Sequence, residues 1–309
     1  MNKYSEILNV TGLSLNLLSL DDIKLLSEAL KENSTLTKLK LESNNIGKEG
    51  AKYIFDALKK NKTLINLNLW DNNNIGDEGA KYISEALKEN KTLTNLNLSH
   101  NFIGNEGAKY IAEALKENKT LTTLFLDNNN IEKEGAEYIA STIKENKTLT
   151  TLSLTDNIIG NKGLEYIAES LKENKTLTTL DLSYNEIGNE GTKYIADSLK
   201  ENNALTTLYL RDNMIGKEGA KYIAKALKEN KTLTNLNLWD NNIEDEIYNE
   251  INNEINKLIE LNNKYKHIKK QYKLLQEEII EMSLVPPDEN NISVLRNGGF
   301  LYREISEKY

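Results

Sequence analysis

Apolar residues recur along this chain in one fixed pattern, Leu-x-x-Leu-x-Leu-x-x-Asn-x-Ile, which appears eight times. The copies begin at Leu36, Leu64, Leu93, Leu121, Leu149, Leu177, Leu205 and Leu233. Successive copies stand 28 residues apart, except that Leu93 follows Leu64 by 29, because an additional asparagine sits in the run Asn72-Asn73-Asn74. In the unit Leu93 to Thr120, Leu96-Asn97-Leu98 alternates apolar and polar, the period of a strand with one buried face. From Gly107 the period changes: Ala108, Ile111 and Leu115 fall at i, i+3 and i+7, one face of a helix. Lys109, Glu113 and Lys116 alternate in charge on the solvent side. The tract Glu117-Asn118-Lys119-Thr120 then stops the helix and turns the chain into the next strand. A period of this length predicts stacked supersecondary units rather than a closed globule.

One strand and one helix per unit place all strands parallel on one side. Helices are wider than the ~4.8 Å strand spacing, so the stack bends with its strands inside. The expected fold is therefore α/β, a right-handed horseshoe with eight regular strands on the concave side and helices on the convex side. The recurrent Asn44, Asn72, Asn101, Asn129, Asn157, Asn185, Asn213 and Asn241 fall where a non-helical turn needs partners for its buried backbone. A carboxamide can bond both its own turn and its neighbour's, so these asparagines read as scaffold. Tyr53, Tyr82, Tyr110, Tyr138, Tyr166, Tyr194 and Tyr222 share one helix slot and are expected to pack between adjacent helices. The Asn-Lys-Thr run at Asn61, Asn90, Asn118, Asn146, Asn174 and Asn230 matches a glycosylation acceptor, but its recurrence in one turn reads as a helix-to-strand connector.

This motif resembles that of the leucine-rich repeat family. The 28-residue unit with its full helix is similar to the ribonuclease-inhibitor-like subclass, which includes the Ran GTPase-activating protein and the repeat domains of innate immune receptors. The resemblance runs from about Leu8 to Leu258. It divides the chain into an N-terminal cap or degenerate repeat (1–35, with Leu8, Leu13, Asn16 and Leu18, then Ile23 to Leu30), eight repeats (36–258), a heptad-patterned helix continuing from the last repeat (259–284) and a tail (285–309). What it implies is a fold and a habit of binding proteins on the concave face, not one activity.

Eight internal copies also show where the chain varies. Helix positions barely change, whereas outward strand positions do. Trp70, Phe125, Tyr209 and Trp239 are large aromatics where a scaffold asks for nothing large. Aromatics and Arg are enriched in binding hot spots. With Lys38, Lys40, His100, Asp181, Tyr184 and Arg211 they form the candidate partner-binding set. The competing reading is drift among recently duplicated repeats, since Trp70 and Trp239 sit in matching runs (66–73 and 235–242). Asp71, Asp156, Asp212 and Asp240 just after the strand suit backbone capping as well as partner contact.

After Asn242 the Gly-Ala helix entry is replaced by Ile247-Tyr248. Ile247, Ile251, Leu258, Leu261, Tyr265, Ile268, Tyr272, Leu275, Ile279 and Met282 follow a heptad spacing broken once, at Glu254. Self-association, a partner helix and a long intramolecular cap are all compatible with it. Pro286 and Pro287 end the helix, and Val294 to Tyr302 carries a hairpin signal around Asn297-Gly298.

Composition narrows function further. A net charge of -8 argues against nucleic-acid phosphates as partners. Two His and no Cys remove most metal sites, all disulfides and any cysteine nucleophile, and leave no cofactor to expect. No apolar run spans a membrane, and Met1 to Leu20 lacks the features of a signal peptide, so no membrane partner and a cytoplasmic location, or delivery to a host cytosol, are expected. No phosphate-binding Gly loop or nucleophile elbow is present. The expectation is a non-enzymatic interaction scaffold. The alternatives are a small-GTPase regulator, for which Arg211 is the sole arginine of the repeats, and a host-directed effector of an intracellular microbe.

Overall fold

The computed structural model describes residue 4 and residues 9–72, 74–243 and 245–284. Strand and helix alternate throughout: β1 (Gly12–Ser14), α1 (Leu20–Glu32), β2 (Lys38–Lys40), α2 (Gly47–Leu58), β3 (Asn66–Asn68), α3 (Gly76–Glu89), β4 (Asn95–Asn97), α4 (Asn105–Glu117), β5 (Thr123–Phe125), α5 (Lys133–Glu145), β6 (Thr151–Ser153), α6 (Gly160–Glu173), β7 (Thr179–Asp181), α7 (Asn189–Glu201), β8 (Thr207–Tyr209), α8 (Lys217–Glu229), β9 (Asn235–Asn237) and α9 (Asp245–Leu284). The strands form one open parallel sheet in chain order, β1 to β9. Equivalent residues pair across every junction, Leu39 with Leu67, Leu67 with Leu96 and so on. Among the described residues there are nine strands, one more than the eight expected. The degenerate first unit supplies β1, pairing Gly12, Leu13 and Ser14 with Lys38, Leu39 and Lys40. A parallel ladder needs only backbone groups and one inward leucine, and Leu13 suffices.

The middle residue of each strand points inward with the flanking leucines of its motif. Leu121, Leu124, Leu126, Ile131, Ala136, Ile139 and Ile143 are all at most 4% exposed, and their counterparts continue one core from Tyr4 to Ile255. Burial of each such leucine contributes about 1.5–3 kcal/mol. No unit could bury this face alone, which is why the stack forms.

Three side-chain relays, built on asparagine and in one place on aspartate, join the units. In the turn after the strand, Asn129 Oδ1 accepts from Asn101 N (3.1 Å) and Ile103 N (2.9 Å) of the preceding unit, and its Nδ2 donates back to Leu98 O (3.1 Å). At the helix end, Asn118 Nδ2 donates to Leu87 O (2.7 Å) while Oδ1 accepts from Thr120 N (2.9 Å) and Leu121 N (2.8 Å). Asn61, Asn90, Asn118, Asn146, Asn174 and Asn230 are at most 3% exposed, so this amide is a structural connector with no room for a glycan. The third relay was not foreseen from the motif. Asp77 Oδ1 accepts from Gly104 N (2.7 Å) and Gly107 N (2.9 Å), so one unit caps the helix of the next. Asn189 does the same for Gly216 and Gly219. The glycine is required by close approach: a Cβ on Gly107 would lie 2.6 Å from Asp77 Oδ1 and 2.7 Å from Ile103 Cγ2.

The repeated tyrosines are only partly covered by neighbouring helices. Tyr138 and Tyr222 are exposed, and lysines lie over several of the rings, Lys52 over Tyr82 at 5.8 Å and Lys109 over Tyr138 at 5.5 Å.

By its contacts the chain divides into two units, 1–259 and 260–309. α9 begins in the first, where Ile251 and Ile255 join the core. In the second unit Leu261, Tyr265, Ile268 and Leu275 of the heptad stripe are exposed. The side chains of Ile247, Ile279 and Met282, the two prolines and the hairpin signal at Val294 to Tyr302 lie outside the described residues. Among those residues, no helix is long and apolar enough to cross a membrane.

Candidate functional site

Strand alternation puts two rows of side chains on the outer face of the sheet. In register, Lys38, Asn66, Asn95, Thr123, Thr151, Thr179, Thr207 and Asn235 form one row. Lys40, Asn68, Asn97, Phe125, Ser153, Asp181, Tyr209 and Asn237 form the other. A third set follows each strand: Glu42, Trp70, Ser99, Asp127, Thr155, Ser183, Arg211 and Trp239.

The next position reveals a backbone constraint. Ser43, Asp71, His100, Asn128, Asp156, Tyr184, Asp212 and Asp240 all have φ between 46° and 58°. Asp, Asn and His tolerate this left-handed conformation better than most residues, which accounts for the recurring aspartates. Their carboxylates also reach the neighbouring unit: Asp71 Oδ2 accepts from Ser43 Oγ (3.0 Å), and Asp156 accepts from the Asn128 amide. Capping and side-chain contact are therefore combined at one slot. Tyr184, at φ 56°, is the bulky exception, held in a conformation that its own side chain disfavours.

The ten sequence-selected residues separate into two groups. In the first, the rings of Trp70 and His100 meet edge-to-face at a centroid distance of 5.3 Å. Beside them a shallow groove of about 220 Å³ is lined by Lys38, Lys40, Asn66, Asn68, Asn95, Asn97 and Phe125. In the second, the Arg211 guanidinium lies 5.8 Å from the centroid of the Tyr184 ring and pairs with Asp240 through NH2 (2.7 Å) and Nε (2.9 Å). Tyr209 Oη accepts from Asn235 Nδ2 (3.2 Å), and Asp181 stands between Ser153 and Tyr209 in register. Trp239 is 65% exposed and Trp70 38%.

Between the two groups lies a residue that the sequence selection omitted. The Asp127 carboxylate accepts from Ser99 Oγ (3.1 Å), Ser153 Oγ and Thr155 N (3.2 Å), tying three successive units. Burial pushes its pKa above the ordinary carboxylate value, against the lowering effect of these hydrogen bonds; nearby Asp181 adds to the rise. Ser99 and Ser153 stand on the strand face yet are buried, and both hydroxyls donate to this carboxylate. The available signal was an acidic residue with Ser99 at the same slot of the preceding unit and Ser153 two residues before that slot in the following unit.

Among the described residues no group of three or more His, Cys, Asp or Glu side chains could hold a metal ion. The surface instead offers aromatic edges, a paired guanidinium and a row of amides and hydroxyls, groups suited to gripping a polypeptide.

An open stack of parallel strands and helices with one variable face defines a solenoid repeat protein. The chain belongs to the leucine-rich repeat family, whose model matches residues 32–55, 60–84, 89–112, 117–140, 145–168, 173–196, 201–224 and 229–247, more than half of the chain. No curated protein sequence gives a significant match. Similar solved structures include leiomodin-1 actin-binding site 2, at 20% identity over 72% of this chain and 95% of that one, with a TM-score of 0.35. A chain of the yeast Rad7 and Elc1 complex is 14% identical over 77% and 65% of the two chains, with a TM-score of 0.49. An internalin (inlF) from Listeria monocytogenes is 19% identical over 78% and 84%, with a TM-score of 0.41.

Proposed function

We propose that this protein is a non-enzymatic interaction scaffold that grips a partner protein on its strand face, the concave side of the stack. The observation that carries this reading is the contrast between faces: helix slots repeat nearly unchanged, while Trp70, Phe125, Tyr184, Tyr209, Arg211 and Trp239 concentrate on the strand face. Large aromatics left partly exposed are worth little to the stack and much to an interface. The two groups suit a partner that contacts both ends of the face, with the groove at Phe125 taking an apolar or amide-rich segment. Arg211 is already engaged by Asp240 and Tyr184. That favours a binding anchor over the free guanidinium that GTPase activation asks of an arginine finger.

The test is affinity purification of full-length protein against a variant with Trp70, Phe125, Tyr209 and Trp239 changed to alanine. The expected result is a partner retained by the wild type and lost by the variant at an unchanged melting temperature. Equal recovery from both proteins would refute the assignment of the face.

A further inference from the structure

Between Glu260 and Glu277, α9 carries no acidic residue, yet it holds Lys264, Lys266, Lys269, Lys270, Lys273 and His267. In a chain of net charge -8 this is a local reversal of sign. Successive residues advance by about 100° around a helix. Leu261, Tyr265, Ile268, Tyr272 and Leu275 therefore share one stripe, Lys264 and Lys269 flank it on opposite sides, and Lys266, Lys270 and Lys273 stand across the helix. Leu261 is 56% exposed, Tyr265 51%, Ile268 41% and Leu275 36%, and all five lysines are exposed.

A dry seam with a second helix fits this arrangement poorly. Tyr265, 51% exposed, occupies a seam position where its hydroxyl would need a buried partner. Lys264 and Lys269 sit where a second copy would present like charge. A lipid surface with anionic headgroups meets both demands. Tyrosine rings settle at the headgroup level with the hydroxyl in water, and lysines extend to the phosphates. We propose that the Leu261–Leu275 segment of α9 lies flat on an anionic membrane surface, apolar stripe inward. The sequence expectation of no membrane partner rests on the absence of a spanning segment, and lying on a surface asks for less apolar length. The inference is independent of the strand-face reading.

The experiment is co-sedimentation of the full chain with phosphatidylcholine vesicles, with and without phosphatidylserine, at low and high salt. Binding is expected only with phosphatidylserine and should weaken steeply as salt screens the lysines. Each lysine near such a surface strengthens binding about fivefold, so Lys264→Glu with Lys269→Glu, the pair flanking the stripe, should weaken it on the order of a hundredfold or more. Leu261→Ser with Ile268→Ser leaves the charge intact and should also release the protein. Absence of vesicle binding, or equal binding to neutral vesicles, would overturn the proposal. So would an oligomer seen by light scattering that the Leu261→Ser/Ile268→Ser variant dissolves while vesicles remain unbound; that outcome would assign the stripe to a helix partner.

Discussion

Asn129→Ala removes one side chain that makes five hydrogen bonds in the turn relay. The three carbonyls it serves keep other donors: Leu98 O has Asn101 Nδ2, Leu126 O has Asn157 Nδ2, and Asp127 O has His100 N. The loss therefore falls on two buried donors, Asn101 N and Ile103 N, which nothing else in the relay replaces. At about 1–3 kcal/mol for each unsatisfied buried group, and with some relief from water entering the space left by the amide, the expected cost is about 3 kcal/mol. Asn101 provides the internal comparison. It sits next to the unit lengthened by one asparagine, its Oδ1 accepts no hydrogen bond, and its Nδ2 serves Leu69 O, Leu98 O and Ser99 O. Leu98 O and Ser99 O retain the Asn129 amide and Asp71 N, so Asn101→Ala deprives only Leu69 O and should cost about 1 kcal/mol. Thr151→Ala, outside the relay, should be nearly silent. Urea unfolding followed by circular dichroism gives the ranking, and amide exchange at Ile103 reports whether the damage is local. Equal losses for Asn129→Ala and Asn101→Ala would refute the argument that accepted bonds set the cost.

Tyr184→Asn relieves the left-handed strain and should raise stability by about 1 kcal/mol while weakening partner binding; a lower melting temperature would contradict the strain reading. Asp127 binds its proton more tightly in the folded than in the unfolded chain, so its contribution favours the fold below its ordinary pKa and is lost as pH rises through the folded value. Asp127→Asn should therefore flatten the fall in stability across and just above the carboxylate range, measured as urea midpoint against pH; an unchanged slope would exclude Asp127 as its source. Gly107→Ala forces a Cβ against Asp77 and Ile103 and should cost about 1–3 kcal/mol in thermal unfolding, whereas an alanine melting with the wild type would show that the neighbouring unit yields freely.

The period of 28 residues was enough to read the architecture, because a unit with one apolar strand face and one apolar helix face can bury them only against copies of itself. The turn asparagines were legible for the same reason: a polar residue invariant beside buried leucines has to be bonded. The first unit was legible only in part: Leu13 marked it as a degenerate repeat, but only eight regular strands were expected, and the ninth, β1, is fixed by its backbone pairing with β2. The contacts that cross between units were not legible. Asp77 capping the helix that begins at Asn105, Asp127 drawing Ser99 and Ser153 out of the solvent, and Arg211 closing on Asp240 all join residues 26 to 30 apart in sequence. Which of them meet depends on strand register and on left-handed turns that set each side chain's direction. The same geometry split one list of ten candidates into a tryptophan–histidine group and an arginine–tyrosine group. Periodicity sets what is repeated; only the stacked backbone decides which of the varied residues become neighbours.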